Sequence, residues 1–145
     1  MGIDVQARSD IEQLVQQVFF CLDARDYPGA AATFAEDGTW VRGGQPYTGH
    51  AAIIGALEKR PTTMIIMHLL SNLRFAPEGA NECAVSGYLT AYRYDSGQPH
   101  TGPAPLGPPV QVGPFRVRAR RGAQGGWRLS YLDTEGPTFL ASVKA

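Results

Sequence analysis

The stretch Met64–Phe75 reads M-I-I-M-H-L-L-S-N-L-R-F and is the most apolar run of the chain, with one imidazole, His68, at its centre. If this run is a strand, Ile66, His68 and Leu70 face one way and Met67, Leu69 and Ser71 the other. A histidine inside such a run does not stay charged without a partner, because burial disfavours the charged form. The candidate partner is Asp23, at the C-terminal end of a helical segment far upstream. A carboxylate is unfavourable at that end, where the helix dipole is negative, so Asp23 is either solvated beside Arg25 and Asp26 or placed there for a purpose. A carboxylate-oriented imidazole is equipped to move protons. Without Asp23, His68 is a core histidine satisfied by backbone or by Asn72.

The elements that must position these two side chains follow from periodicity. Ile11, Leu14, Val15, Val18, Phe19 and Leu22 fall at helical spacing, with Ser9 and Glu12 as a capping box. Tyr27-Pro28-Gly29 breaks that helix, and a short one follows over residues 30–34, with Pro28 in its first turn. Glu36-Asp37-Gly38 reads as a turn, Thr39–Arg42 as a short strand, and Gly43-Gly44-Gln45-Pro46 as a loop. A third helix carries Ala52, Ile53, Ala56 and Leu57 on one face and stops at Arg60-Pro61. The rest reads as sheet. Long strands are expected over Met64–Phe75, Cys83–Asp95, Val110–Arg121 and Trp127–Asp133, with a turn at Pro77-Glu78-Gly79. Segment Ser96–Pro109 holds five prolines and three glycines and is expected to be an irregular loop or flap. The tail, 136–145, is read as a short helix. Helices followed by an antiparallel meander are an α+β order. The expected fold is a curved mixed or antiparallel sheet of four to six strands wrapped around three N-terminal helices. It forms a cone that encloses an apolar pocket.

The bulk numbers narrow the function classes. The chain has 145 residues, suited to one domain spanning 1–145, and its 13 acidic and 13 basic side chains cancel. That balance argues against nucleic acid as a partner. The only basic run, Arg116, Arg118, Arg120 and Arg121, alternates as the solvent face of a strand does. Cys21 and Cys83 lie among apolar residues and read as buried thiols. The first ten residues lack the apolar core of a signal peptide, and no run approaches a membrane span, so a soluble cytoplasmic protein is expected. No His, Asp and Glu cluster has metal-ligand spacing. His50 reads as a surface residue at a helix start, and His100 as solvated in the proline-rich loop. Gly43-Gly44 lacks the lysine and following helix of a phosphate loop. Neither a metal nor a cofactor is expected.

Four segments, in order, carry a resemblance: L-D-A-R-D-Y with F-A-E-D-G-T-W, then Y-T-G-H-A-A-I, then H-L-L-S-N, then G-G-W-R-L-S-Y. Over about residues 8–134 the sequence resembles the SnoaL-like group of the nuclear-transport-factor-2-like superfamily, the cystatin-type α+β cone. That group includes scytalone dehydratase and bile-acid dehydratase. In its dehydratases an Asp at the end of the first helix orients a His on the first long strand, and that His moves a proton beside a carbonyl. Asp23 and His68 match those positions, so the resemblance implies a catalytic dyad. Three positions depart from scytalone dehydratase. Its tyrosine before the Asp is Leu22 here, its second histidine falls at Tyr92-Arg93-Tyr94, and its polar pair falls near Gly113–Phe115. Scytalone itself is therefore not the expected substrate.

With those groups missing, a tyrosine is expected to support a developing enolate oxygen, and Tyr27, Tyr47, Tyr88 and Tyr92 are the candidates. Trp40 and Tyr27 are expected in the cavity wall, since aromatics dominate such linings. Asn72 either meets the ligand or hydrogen-bonds across the sheet. The expected activity is that of a cofactor-independent dehydratase or isomerase. Its substrate would be a small, largely apolar cyclic hydroxy-ketone of polyketide, terpenoid or steroid-like type. The rivals are a noncatalytic protein that binds a small apolar or aromatic ligand in the same pocket, and a noncatalytic subunit of the kind found in ring-hydroxylating dioxygenases. Self-association through the outer sheet face, as a dimer, is expected for this fold.

Overall fold

The computed structural model describes residues 2–134 and 136–141. Helix α1 (Val5–Asp23) starts earlier than the Ser9 capping box implies: Asp4 is its cap, and the Asp4 carboxylate accepts the Ala7 N–H at 2.7 Å. Ala7 is buried, so the apolar stripe of Ile11, Val15, Val18, Phe19 and Leu22 runs one turn further back and the helix with it. Helix α2 (Tyr27–Ala32) carries Pro28 in its first turn, and the Asp26 carboxylate accepts the Gly29 N–H at 2.9 Å.

Strand β1 (Phe34–Arg42) spans the expected turn at Glu36-Asp37-Gly38. A bulge lies between Phe34 and Thr39 in its pairing. Gly38 sits there because a Cβ would come within 2.8 Å of the Leu129 carbonyl oxygen. Gly43 and Gly44, with φ of 57° and 74°, make the tight hairpin to β2 (Gln45–Thr48), so Gln45 and Pro46 are strand rather than loop. Helix α3 (His50–Leu57) buries Ile53, Ala56 and Leu57 but leaves Ala52 exposed. Long strands β3 (Ile65–Pro77), β4 (Glu82–Tyr94), β5 (Gln111–Arg121) and β6 (Trp127–Asp133) follow. The expected loop over 96–109 has no regular structure. The described part of the tail is not helical. It forms β7 (Phe139–Leu140) against β5, and residues 142–145 lie outside the described residues.

The strands make one mixed sheet in the order β2-β1-β6-β5-β4-β3, with β7 paired to β5 off that path. The β1–β6 pair is parallel and every other pair is antiparallel. Among the described residues the sheet has seven strands, because β2 and β7 join the five placed from sequence. Val85, Leu89, Phe115, Val117, Leu129 and Leu132 project from the sheet's inner face. They pack against α1 through Ile11, Val15, Val18 and Phe19. Arg116, Arg118 and Arg120 line the opposite face, as their alternation implies. Each is paired with a carboxylate, of Asp133, Glu78 and Asp37 respectively.

One irregularity decides which residues of β3 face inward. Asn72 has φ of 56°, and the β3–β4 pairing shifts between Ser71 and Arg74. Before this bulge the more buried residues are Ile66, His68 and Leu70; after it they are Leu73 and Phe75.

Candidate active site

Strand β3 lies at the end of the sheet, so every second backbone N–H along its free side lacks a partner strand. His68 contributes one of these, and the last residue of α1 takes it. Asp23 Oδ2 accepts the His68 backbone N–H at 2.8 Å, while Oδ1 accepts the ring Nδ1–H at 2.5 Å. Two donors thus offset the carboxylate's poor position at a helix C-terminus, where the last turn holds no basic residue. The His68 side chain is 9% exposed and that of Asp23 20%. The ring also rests against Phe19, with centroids 5.4 Å apart.

The approach of α1 to β3 is fixed from behind by two arginines. Arg25, at φ 60°, turns the chain out of α1. Its guanidinium donates to the Pro61 carbonyl at 2.6 Å, to the Met64 carbonyl, and to the Tyr27 hydroxyl at 3.0 Å. Arg60 donates to the Leu22 carbonyl at 2.8 Å and lies over the Tyr27 ring at 5.8 Å. Burial pulls the Arg60 pKa below its ordinary value, against the opposing influence of the Tyr27 hydroxyl.

Between α1 and β3 runs a groove of about 920 Å³, within the roughly 300–1,000 Å³ of small-molecule sites. It is open to solvent, with Phe20 69% and Met67 61% exposed beside it. Phe19, Ile66 and Leu70 supply apolar wall, and His68 and Asp23 sit within it. Asp23 holds Nδ1, and among the described residues Nε2 has no hydrogen-bond partner. Nε2 is therefore the nitrogen a ligand in the groove would meet.

None of the other six expected site residues lines this groove. Trp40 is 1% exposed and stacks on Phe34 inside the core, so it is packing rather than cavity wall. The Tyr27 hydroxyl is taken by Arg25. Tyr47 pairs with Trp40 on the β1–β2 hairpin, at the far end of the sheet from β3. Tyr88 and Tyr92 stand opposite Ser71 and Met67, on the outer face, with Tyr88 54% exposed. Asn72 forms the bulge and is exposed. His50 and His100 are both tied to backbone, through Nε2–H to the Phe34 carbonyl at 2.8 Å and to the Pro103 carbonyl at 3.0 Å.

The polar wall comes instead from residues that sequence reasoning passed over: Gln13, Gln16 and Gln17 on α1. Their signal was spacing. Gln16 precedes Phe19, Phe20 and Asp23 by three, four and seven residues, which places all four on one face of the helix. Among the described residues no group of three or more His, Cys, Asp and Glu side chains is arranged to hold a metal ion.

The sequence profile of the SnoaL-like domain matches residues 4–133, and the chain belongs to that family. No curated protein matches the sequence. Among solved structures the chain is similar to a putative scytalone dehydratase of Novosphingobium aromaticivorans, at 18% identity and TM-score 0.77 over 97% of this chain and 90% of that one. It is also similar to the hexachlorocyclohexane dehydrochlorinase LinA-type3 of Novosphingobium barchaimii, at 18% identity and TM-score 0.75 over 94% and 90%. A Catenulispora acidiphila protein in complex with S-DNPA has 20% identity and TM-score 0.67 over 90% and 94%. At these identities the likeness is one of fold. Among the described residues no helix is long and apolar enough to cross a membrane.

Proposed function

We propose that the chain, acting as one unit, is a cofactor-independent lyase or isomerase of the dehydratase type. Its substrate is a small, largely apolar cyclic hydroxy-ketone of polyketide, terpenoid or steroid-like character. The observation that carries this reading is the Nδ1–H···Oδ1 contact of 2.5 Å between His68 and Asp23 beside an open groove. A carboxylate on Nδ1 fixes the tautomer, leaves a lone pair on Nε2 and stabilises the imidazolium formed on protonation. In a dehydration, Nε2 removes the proton α to the carbonyl. The C–H pair passes into the enolate, and as the enolate re-forms the carbonyl the new C=C bond is made and the β C–O bond breaks. The departing hydroxide takes the proton from Nε2 and leaves as water. In an isomerisation the same nitrogen returns the proton to a different carbon. The cytoplasm is the proposed compartment, in keeping with the two free thiols, Cys21 and Cys83.

A β-hydroxy-ketone such as 3-hydroxy-1-tetralone, whose dehydration yields fluorescent 1-naphthol, is the first probe. His68→Ala is expected to abolish its turnover and to leave the circular-dichroism spectrum unchanged. Asp23→Asn is expected to lower kcat on the order of 10²- to 10⁴-fold, since the amide no longer stabilises the imidazolium. Turnover retained in His68→Ala refutes the dyad. The second reading, a noncatalytic protein binding a small apolar or aromatic ligand, is favoured by one observation: among the described residues no tyrosine or second histidine lines the groove. It predicts that the wild-type protein binds the probe without converting it.

A further inference from the structure

The groove lacks every side chain expected to support an enolate oxygen. Among the described residues its lining holds no Lys, Arg, Tyr, Ser or Thr, and apart from His68 and Asp23 its only polar side chains are Gln13, Gln16 and Gln17. The Gln17 amide is engaged with Cys21 Sγ at 3.2 Å. The Gln13 and Gln16 side chains make no hydrogen bond among the described residues. Of these two, Gln16 shares the helix face of Phe19, Phe20 and Asp23. The His68 ring lies over Phe19, one turn before Asp23, and Gln16 is the next turn along. The Gln16 backbone lies about 10 Å along the helix from that of Asp23. That interval accommodates the imidazole, a ring ketone beyond Nε2, and the reach of a glutamine side chain.

We propose that Gln16 is the substrate-binding donor that receives the carbonyl oxygen and carries it through the enolate. The inference rests on the dyad reading above and deepens it. A carboxamide polarises a carbonyl by donating a hydrogen bond, as side-chain amides do in oxyanion holes. Unlike a tyrosine, it has no proton to give up. All proton movement therefore falls to His68, and the proton removed and the group departing lie on the face of the substrate turned to Nε2. The substrate is also uncharged near the reacting carbons: the groove holds the Asp23 carboxylate and no cationic side chain to receive an acid or a phosphate.

The test uses the intact protein with two probes, 3-hydroxy-1-tetralone for turnover and carbon-13-labelled 1-tetralone for binding. Gln16 is exposed on a helix and leucine is a good helix former, so Gln16→Leu keeps the fold. It is expected to lower kcat/KM for the hydroxy-ketone on the order of 10²-fold. In difference infrared spectra, the labelled carbonyl band of bound 1-tetralone is expected at lowered frequency in wild type and in His68→Ala, and to return to its apolar-solvent position in Gln16→Leu. If Gln16→Leu keeps both turnover and the lowered band while His68→Ala abolishes turnover, the Gln16 assignment falls and the dyad stands. If wild-type protein neither lowers the band nor converts the hydroxy-ketone, the dyad reading falls and takes the assignment with it.

Discussion

At the residue scale, the pairing of Asp23 with His68 was legible because each is chemically out of place: a carboxylate at the wrong end of a helix dipole, and an imidazole in an apolar strand. The tyrosines and Trp40 were not placed correctly, for a different reason. Alternation along β4 puts Tyr88 and Tyr92 on one face, but it does not say which face the helices cover. Trp40 reads the same from sequence whether it walls a cavity or fills a core. Arg25 carries the clearest residue-scale prediction. It holds a left-handed φ of 60° and donates to the Pro61 and Met64 carbonyls. Arg25→Ala loses the bonds and keeps the unfavourable φ, at an expected cost of about 1–2 kcal/mol. Arg25→Gly loses the same bonds but relieves the backbone, so it is expected to be more stable than Arg25→Ala by about 1 kcal/mol. Urea midpoints compare the two, and equal midpoints remove the strain from the account.

At the element scale, periodicity found three helices and four long strands close to their observed limits. The boundaries it missed are those set by contacts distant in sequence. Ser9 and Glu12 have the form of a cap, but buried Ala7 extends the helix to Asp4. Glu36-Asp37-Gly38 has the composition of a turn and falls in the bulge of β1, where Phe34 pairs with Leu129 and Thr39 already pairs with Tyr131; the β6 pairing on both sides makes it an interruption within one strand. The bulge at Asn72 is not visible in simple alternation, because the inward positions on its two sides, Leu70 and Leu73, are both leucine and neither marks the change of register. Local preference alone points to helix in the tail. In the fold, Pro137 and Thr138 cross Gly113 so closely that a Cβ there would stand 2.6 Å from Pro137 Cα and from Thr138 N. Residues 137–140 therefore lie along β5, close against that glycine, a partner no local signal reveals.

At the scale of the whole molecule, part of the outer face of the sheet is exposed among the described residues. Met67 and Leu69, 61% and 48% exposed, lie beside Tyr92 and Thr90, with Tyr88 further along. The proposed occupant is a second copy of this chain, since two such faces are complementary under a two-fold axis. Sedimentation velocity is expected to give a dimer for the wild type and a monomer for Met67→Lys; a wild-type monomer at micromolar concentration ends that idea. Met67 also lines the groove, so this assembly would border the groove's mouth.

The hydrogen bond from the His68 backbone to Asp23 has a consequence unrelated to turnover. The most apolar segment of the chain forms the sheet's terminal strand, the kind of edge that seeds fibrils by pairing with its neighbours. A carboxylate seated on that edge denies it to an incoming strand. Asp23 is thus a guard of solubility as well as a proposed partner in proton transfer, and the two duties separate by substitution. Asp23→Asn keeps an oxygen for the N–H and is expected to stay dispersed while losing activity. Asp23→Ala removes the oxygen as well, and under agitation it is expected to develop thioflavin-T fluorescence well before the wild type. If all three proteins age alike, the edge is protected by something else.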